Sequence, residues 1–261
     1  MASRRTLTLL VLGALAGALG AAQPALGCSR PIRLIGDEWP PYAYSADGAG
    51  QTGLDIELTT AILREAGCTL VSEPYVPALR RLLMFQRGET DLLLAASDTP
   101  ERRRFARFSS PYRNESIALF GLAQEFDRYR AIAGFDQLLA QDLALLAPTA
   151  GWYGKQYERA RPRLQAKARL STFGTVQQGL RMLAAGRAQL IMGDVAALEH
   201  EARNQKLALR QLPFVVRQAP VHLMFSRASI SAADVALING AIARLERNGT
   251  LKAIRSGYVA R

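Results

Sequence analysis

The stretch Thr99-Pro100-Glu101-Arg102 lies between an apolar run, Leu92-Leu93-Leu94-Ala95-Ala96, and the segment Phe108-Ser109-Ser110-Pro111-Tyr112. A short continuous apolar run reads as a strand buried on both faces. Ser97 and Asp98 leave that strand. Thr99 is a good N-cap, Pro100 suits the first helical position, and Arg102 falls in the first turn. A cation, a hydroxyl and several free backbone N–H groups thus meet at one helix start. That set binds a carboxylate, because orphan amides and the helix dipole favour an anion and arginine adds a two-pronged, charge-assisted pair. The same residues also make an ordinary capped surface helix with a solvated arginine, and the stretch alone does not choose between them.

A second strand-to-helix junction with a charged residue lies in the second half of the chain. Ala188 to Met192 reads as a strand, with Gly193-Asp194 at its C-terminal end. Asp194 is placed to cap a helix over Val195–Arg203. It is equally placed to present a carboxylate. A fixed cation and a fixed anion on opposite walls are what a zwitterion needs, and a closed, drier cleft strengthens both attractions.

The elements that position these groups follow from hydrophobic period and punctuation. Ile32-Arg33-Leu34-Ile35 is a strand, and Gly36 to Tyr42 is a loop carrying Trp39. Leu54 to Ala66 is a helix ended by Gly67, and Leu70-Val71 is a strand. Pro77 to Gln86 is a helix closed near Gly88, and Asp91 to Ala96 is a strand. This β-α-β-α-β order implies a parallel sheet. Ile117 to Leu122 is a crossing strand, after which a second α/β unit begins. That unit holds a strand at Leu143–Ala147, the turn Gly151-Trp152-Tyr153-Gly154 before a helix, and a helix over Val176–Ala185. Phe214–Val216 and Val221–Phe225 supply a return crossing. A helix over Ala233–Arg247 and a short one near Ile254 close the chain.

Compartment and partners follow from the first residues and the charge. Arg4 and Arg5 precede an apolar run from Leu7 to Ala22, and Ala25-Leu26-Gly27 is a small-x-small cleavage pattern, so residues 1–27 read as a secretory signal peptide. The run is too short and too rich in small residues for a bilayer span, which needs about 20 strongly apolar residues. Without these residues the net charge of +11 falls to +9. Arginines and acids are interleaved, with no zinc or helix-turn-helix spacing, which argues against nucleic acid and leaves an anion-friendly cleft. His200 and His222 are isolated, no metal-ligand spacing occurs, and no cofactor is expected. Asn114-Glu115-Ser116 and Asn248-Gly249-Thr250 match glycosylation acceptors and are discounted in a bacterial setting. Cys28 and Cys68 each precede a strand of one βαβ unit, which places them at the same strand ends and predicts a disulfide. Lipidation of Cys28 as the first mature residue, or two free thiols, are the alternatives.

These landmarks, in this order, resemble the family 3 periplasmic solute-binding proteins, whose best-known members bind amino acids for ABC importers. Pro40-Pro41-Tyr42, Gly53-Leu54-Asp55-Ile56-Glu57, Gly88 with Asp91, Thr99-Pro100-Glu101-Arg102 and Phe108-Ser109-Ser110-Pro111-Tyr112 carry the resemblance in the first half. Met182-Leu183-Ala184-Ala185-Gly186-Arg187, Asp194, Phe225-Ser226 and Asn248-Gly249-Thr250-Leu251 carry it in the second. The resemblance implies a type II periplasmic binding protein-like α/β fold: two lobes, a discontinuous first lobe and two hinge crossings. The expected division is lobe 1 at 28–119 and 220–261, with lobe 2 at 120–219.

It further implies that Arg102 pairs with a ligand α-carboxylate, that Ser97 faces the ligand, and that the Ala95 carbonyl and Asp194 receive its ammonium. Trp39 would pack on the ligand, and Gly151, Trp152 and Tyr153 would face it from a helix start. Arg80 matches an arginine seen in one branch of the family and would lean into the cleft, with a solvated helix face as the other reading. Ala78 stands where many members place a second stacking aromatic, so an aromatic sandwich is not expected. The expected protein is a periplasmic, monomeric binder of an amino acid or similar small carboxylate, working with an ABC permease and not an enzyme. The alternatives are an enzyme on the same scaffold, of the cyclohexadienyl dehydratase kind, and a sensing module for a separate receptor. No nucleophile elbow, paired-carboxylate signature or phosphate loop favours catalysis.

Overall fold

The computed structural model describes residues 27–46 and 50–259. The expected signal peptide, apart from Gly27, lies outside the described residues. The chain runs through strands and helices in the order β1 (Ile32–Ile35), β2 (Tyr44–Ala46), β3 (Gly50–Thr52), α1 (Leu54–Glu65), β4 (Leu70–Glu73), α2 (Ala78–Gln86), β5 (Leu92–Ala96), α3 (Pro100–Arg103) and β6 (Ala106–Leu122). It continues with α4 (Phe126–Tyr129), α5 (Phe135–Ala140), β7 (Leu145–Pro148), α6 (Lys155–Ala166), β8 (Leu170–Phe173), α7 (Val176–Ala184), β9 (Leu190–Asp194), α8 (Val195–Asn204), β10 (Leu209–Ser226), α9 (Ala232–Arg247) and α10 (Thr250–Val259).

Among the described residues one sheet has the order β4-β1-β5-β10-β6-β9-β7-β8, and β2-β3 is a separate hairpin. β1 is parallel to β4 and β5, and β7 is parallel to β8 and β9. The two halves are joined by β6 and β10, 17 and 18 residues long, which run antiparallel through both. This is a mixed α/β, two-lobed fold of the periplasmic binding protein type, with a discontinuous first lobe and two crossings.

The crossing strands are longer than the sequence reading expected. Ala106 to Tyr112 belongs to β6, and Phe214–Val216 and Val221–Phe225 are parts of one β10. Prolines concealed this continuity. Proline lacks the N–H a ladder needs and sits in strands at edges or bulges. Here Pro111 lies opposite His222, and the register shifts between Val221 and His222.

Burial explains the apolar runs. Ile117 and Leu119 enter one hydrophobic cluster with Leu145, Leu190 and Met192, while Ala118 and Phe120 enter another with Leu146, Leu180 and Ile191. Successive side chains of a strand point to opposite faces, so a strand covered on both sides is apolar at every position. The first half has its own core around Leu58, Ile62, Leu92 and Phe225, which α9 completes through Ile238 and Ile242. No helix among the described residues is long and apolar enough to cross a membrane.

Local rules held at several ends. α1 stops at Glu65, with Gly67 at φ 70° just beyond. Ser231 and Asp234 form a capping box at α9. Ile32 pairs with Leu70 in parallel register, bringing Cys28 and Cys68 to a Cα–Cα distance of 4.9 Å, and they form a disulfide.

Candidate ligand-binding cleft

A cleft of about 380 Å³ opens between the two halves, over the crossing strands. Trp39, Ala95, Ser97 and Arg102 line it from the first half, and Gly151, Trp152, Tyr153 and Asp194 from the second. Arg80 does not reach it. That side chain is exposed on α2, and the cleft arginine of this helix is its neighbour Arg81. One residue along a helix turns the side chain by about 100°, so the helical face decides which arginine enters. Arg81 is committed there, donating to the carbonyls of Gly36 and Val76 and pairing with Asp37.

Arg102 is positioned as its local sequence requires. The Thr99 hydroxyl accepts a hydrogen bond from the Arg102 N–H at 3.3 Å and caps α3. α3 is only four residues long, so its dipole is slight. The charge that matters is the guanidinium. It donates to the Ser97 carbonyl at 3.1 Å, and among the described residues no carboxylate lies within ion-pair distance. Burial lowers its pKa from the ordinary value, the mark of a cation short of solvation.

Ala95 adds a strained backbone. Its φ of 49° is left-handed, which costs an L-residue on the order of 1 kcal/mol. The distortion coincides with the register shift of β10 between His222 and Met224, and the Tyr112 hydroxyl accepts from the Ala95 N–H at 3.0 Å. Gly151, at φ 122°, permits the facing turn. A Cβ there would collide with the Tyr153 hydroxyl, which itself donates to the Ala150 carbonyl.

Asp194 ends β9 and begins α8. Its Oδ1 accepts from the Ala197 N–H at 3.0 Å, as a cap, and from the Tyr42 hydroxyl at 2.8 Å. It is 5 % exposed, and burial raises its pKa despite these donors. The capping role is therefore real, and it leaves a buried carboxylate at the cleft wall with no cation within ion-pair distance among the described residues. Trp39 is likewise double in character, packing on the first core and against Tyr42, at 4.5 Å between ring centroids, while lining the cleft. The two walls already touch: the Ser97 hydroxyl donates to the Trp152 carbonyl at 3.4 Å, and Tyr42 to Asp194.

Sequence reading missed Glu115. It lies on β6, is 7 % exposed and lines the cleft. Arg217 of β10 donates to its Oε1 at 2.6 Å, and the same guanidinium lies 5.0 Å from the Trp152 ring centroid. Burial, then the charge of Asp194, pushes its carboxyl up to about 7. The available signal was an acid one residue from an apolar run in a strand that had to be buried. Thr149 and Thr175 also line the cleft. No group of acids, histidines and cysteines among the described residues can hold a metal ion.

A sequence profile described as bacterial extracellular solute-binding proteins, family 3, matches residues 32–261. No curated protein matches the chain. Among solved structures, a histidine kinase sensor domain with similarity to periplasmic binding proteins superposes with a TM-score of 0.75 at 22 % identity, over 88 % of this chain and 96 % of that one. The arginine-, lysine-, histidine-binding protein ArtJ from the thermophilic bacterium Geobacillus stearothermophilus gives 0.73 at 16 %, over 89 % and 96 %. The ancestral amino acid-binding protein AncCDT-1, a precursor of cyclohexadienyl dehydratase, gives 0.71 at 19 %, over 87 % and 95 %. At such identities the structures attest the fold, and the profile match across nearly the whole chain attests the family: this chain belongs to family 3 of the bacterial extracellular solute-binding proteins.

Proposed function

We propose that the chain binds an α-amino acid in the cleft, outside the cytoplasmic membrane, and hands it to an ABC permease. The observation that carries this reading is one charge on each wall with no ion-pair partner among the described residues: the half-buried Arg102 guanidinium on one side, the buried Asp194 carboxylate on the other. Each is unfavourable alone in a low-dielectric cleft, and each is satisfied by one end of a zwitterion. Of the other charged side chains lining the cleft, Arg81 is paired with Asp37, Glu38 accepts from the Ser45 N–H, and Glu115 takes one hydrogen bond from Arg217. What remains for the ligand side chain is largely apolar, from Trp39, Ala78, Leu82, Leu93 and Leu94, which fits an uncharged, apolar side chain.

Lobe 1 is taken as 28–119 and 220–261 and lobe 2 as 120–219, so that β6 and β10 act as the hinge of a closing motion. Residues 1–27 act as the export signal, and the disulfide fits an oxidising compartment. The protein works as a monomer and without catalysis.

The test is calorimetric titration of the mature protein, unfolded and refolded to remove carried ligand, with the standard L-amino acids, dicarboxylates and prephenate-like cyclic acids. One-to-one binding of an amino acid is expected. Arg102→Ala should abolish it while leaving the fold intact. Asp194→Ala should weaken amino acids far more than their des-amino analogues. Unchanged affinity in Arg102→Ala removes the site assignment, and product from a cyclic acid replaces the binding reading with an enzymatic one.

A further inference from the structure

Two carboxyl side chains, Glu115 and Asp194, line the cleft from neighbouring strands, and Arg217 of the next strand meets one of them. Ile117 of β6 lies opposite Asp194 of β9 and opposite Arg217 of β10. Paired residues share a face of the sheet, and so does the residue two positions along. Glu115 therefore stands on the same face as Asp194 and Arg217, beside the first and bonded to the second. Arg217 bonds Oε1 of Glu115, and the Glu115 side chain lines the cleft.

We propose that Glu115 is a second recognition carboxylate for the ligand's ammonium, and that it gives up a proton when the ammonium binds. This rests on the amino-acid reading of the cleft. Two carboxylates side by side in a closed space resist joint ionisation. One of them holds a proton until a cation arrives to share. The proton leaves from the Glu115 carboxyl to solvent, and the ammonium keeps its own three.

Every charged group packed against Glu115 bears on this exchange. Arg113 of β6, Arg217 of β10 and Arg102 of α3 favour its ionised form, whereas Asp194 of β9 and Asp55 of α1 oppose it, and the Tyr153 phenol stays neutral beside it. With Arg217 held over Trp152 and Arg113 held by Asp55, the groups free to change are Glu115, Asp194 and the incoming ligand. Glu115 also discriminates. A carboxylate without an amino group makes no demand on the second acid, so Glu115 matters to amino acids alone.

The experiment uses whichever L-amino acid binds most tightly in the titration above, together with its des-amino analogue. Titrations at pH 6, 7 and 8 are run in buffers of differing ionisation enthalpy, with the wild type and Glu115→Gln. The wild type should release protons on binding the amino acid and lose about tenfold in affinity from pH 8 to pH 6, because protonated Glu115 must first ionise. Glu115→Gln keeps an oxygen for Arg217, should bind more weakly at pH 8, and should show neither proton release nor pH slope. The des-amino analogue should show no difference between the two proteins. Carboxyl carbon NMR of the ligand-free wild type should show a titration near pH 7 that vanishes in the variant, a readout independent of ligand. Proton release that persists in Glu115→Gln, or a Glu115 titration in the ordinary carboxylate range, overturns the proposal and leaves the binding function standing. Silence across the whole amino-acid series overturns the function, and the proposal with it.

Discussion

Arg113 and Arg102 are two arginines withdrawn from solvent, and they are solvated in opposite ways. Arg113 meets Asp55 through two hydrogen bonds of 2.6 and 2.8 Å, with its guanidinium 3.9 Å from the Tyr42 ring centroid and a further bond to the Asn114 carbonyl. Burial opposes its charge, but Asp55 more than offsets this and raises its pKa well above the ordinary value. Arg102, half-buried, donates to one backbone carbonyl and has no carboxylate within ion-pair distance among the described residues, and burial moves its pKa down. A buried charge whose partner is in the chain serves the fold. A buried charge whose partner is missing marks where a ligand completes the structure.

The sharpest way to break this comparison is to remove each guanidinium and unfold the protein with urea. Arg113→Met leaves Asp55, fully buried, without its cation and should cost about 3–5 kcal/mol. Arg102→Met removes a strained charge and should leave the ligand-free protein as stable as before or slightly more so. Equal losses would mean that Arg102 is structural and the contrast false.

Glu115 lies between the two cases, paired yet raised. Its carboxyl moves from an ordinary 4.5 to about 7 in the folded protein, so the native state binds the proton more tightly than the unfolded chain. That contribution is full below about pH 4.5 and is lost as pH rises through about 7, amounting to about 3 kcal/mol in all. Ligand-free wild type should lose this much across the window relative to Glu115→Gln, measured as urea stability at pH 4.5, 6 and 8. Parallel pH curves for the two proteins would show that the Arg217 pair already satisfies the acid.

The smallest effect concerns neighbours on α2. Arg80→Ala should change stability by less than about 0.5 kcal/mol and leave binding unaltered. Arg81→Ala should destabilise the loop over Gly36–Asp37 and weaken binding. Reversed results would return the cleft to Arg80.

Much of this was legible along the chain because it depends on near neighbours. Thr99 and Asp194 cap the helices that follow them, as their types require. Ile117–Leu122 is a strand covered on both faces, whereas Leu92–Ala96, expected to be the same, is fully buried only at its ends because Leu93, Leu94 and Ala95 line the cleft. Gly151 and Gly154 open the turn before α6 with positive φ. Less legible were the crossing strands, broken to the eye by Pro111, Pro213 and Pro220, and the choice between Arg80 and Arg81, which turns on a single helical step. Asp55, buried within a sequence motif, gave no sign that its cation was 58 positions away.

The sequence by itself determined the family of fold, the disulfide partners and the two residues poised on opposite walls. The caps and the disulfide follow from local rules and strand order within one βαβ unit, while the two-lobed fold and the opposite walls came from the resemblance of those landmarks to family 3. Only the tertiary structure decided which charges are answered within the chain. Arg217 reaches Glu115 across 102 positions and Tyr42 reaches Asp194 across 152. A buried charge is governed by what lies within a few ångströms in space, and the packing of two crossing strands and two lobes sets that distance.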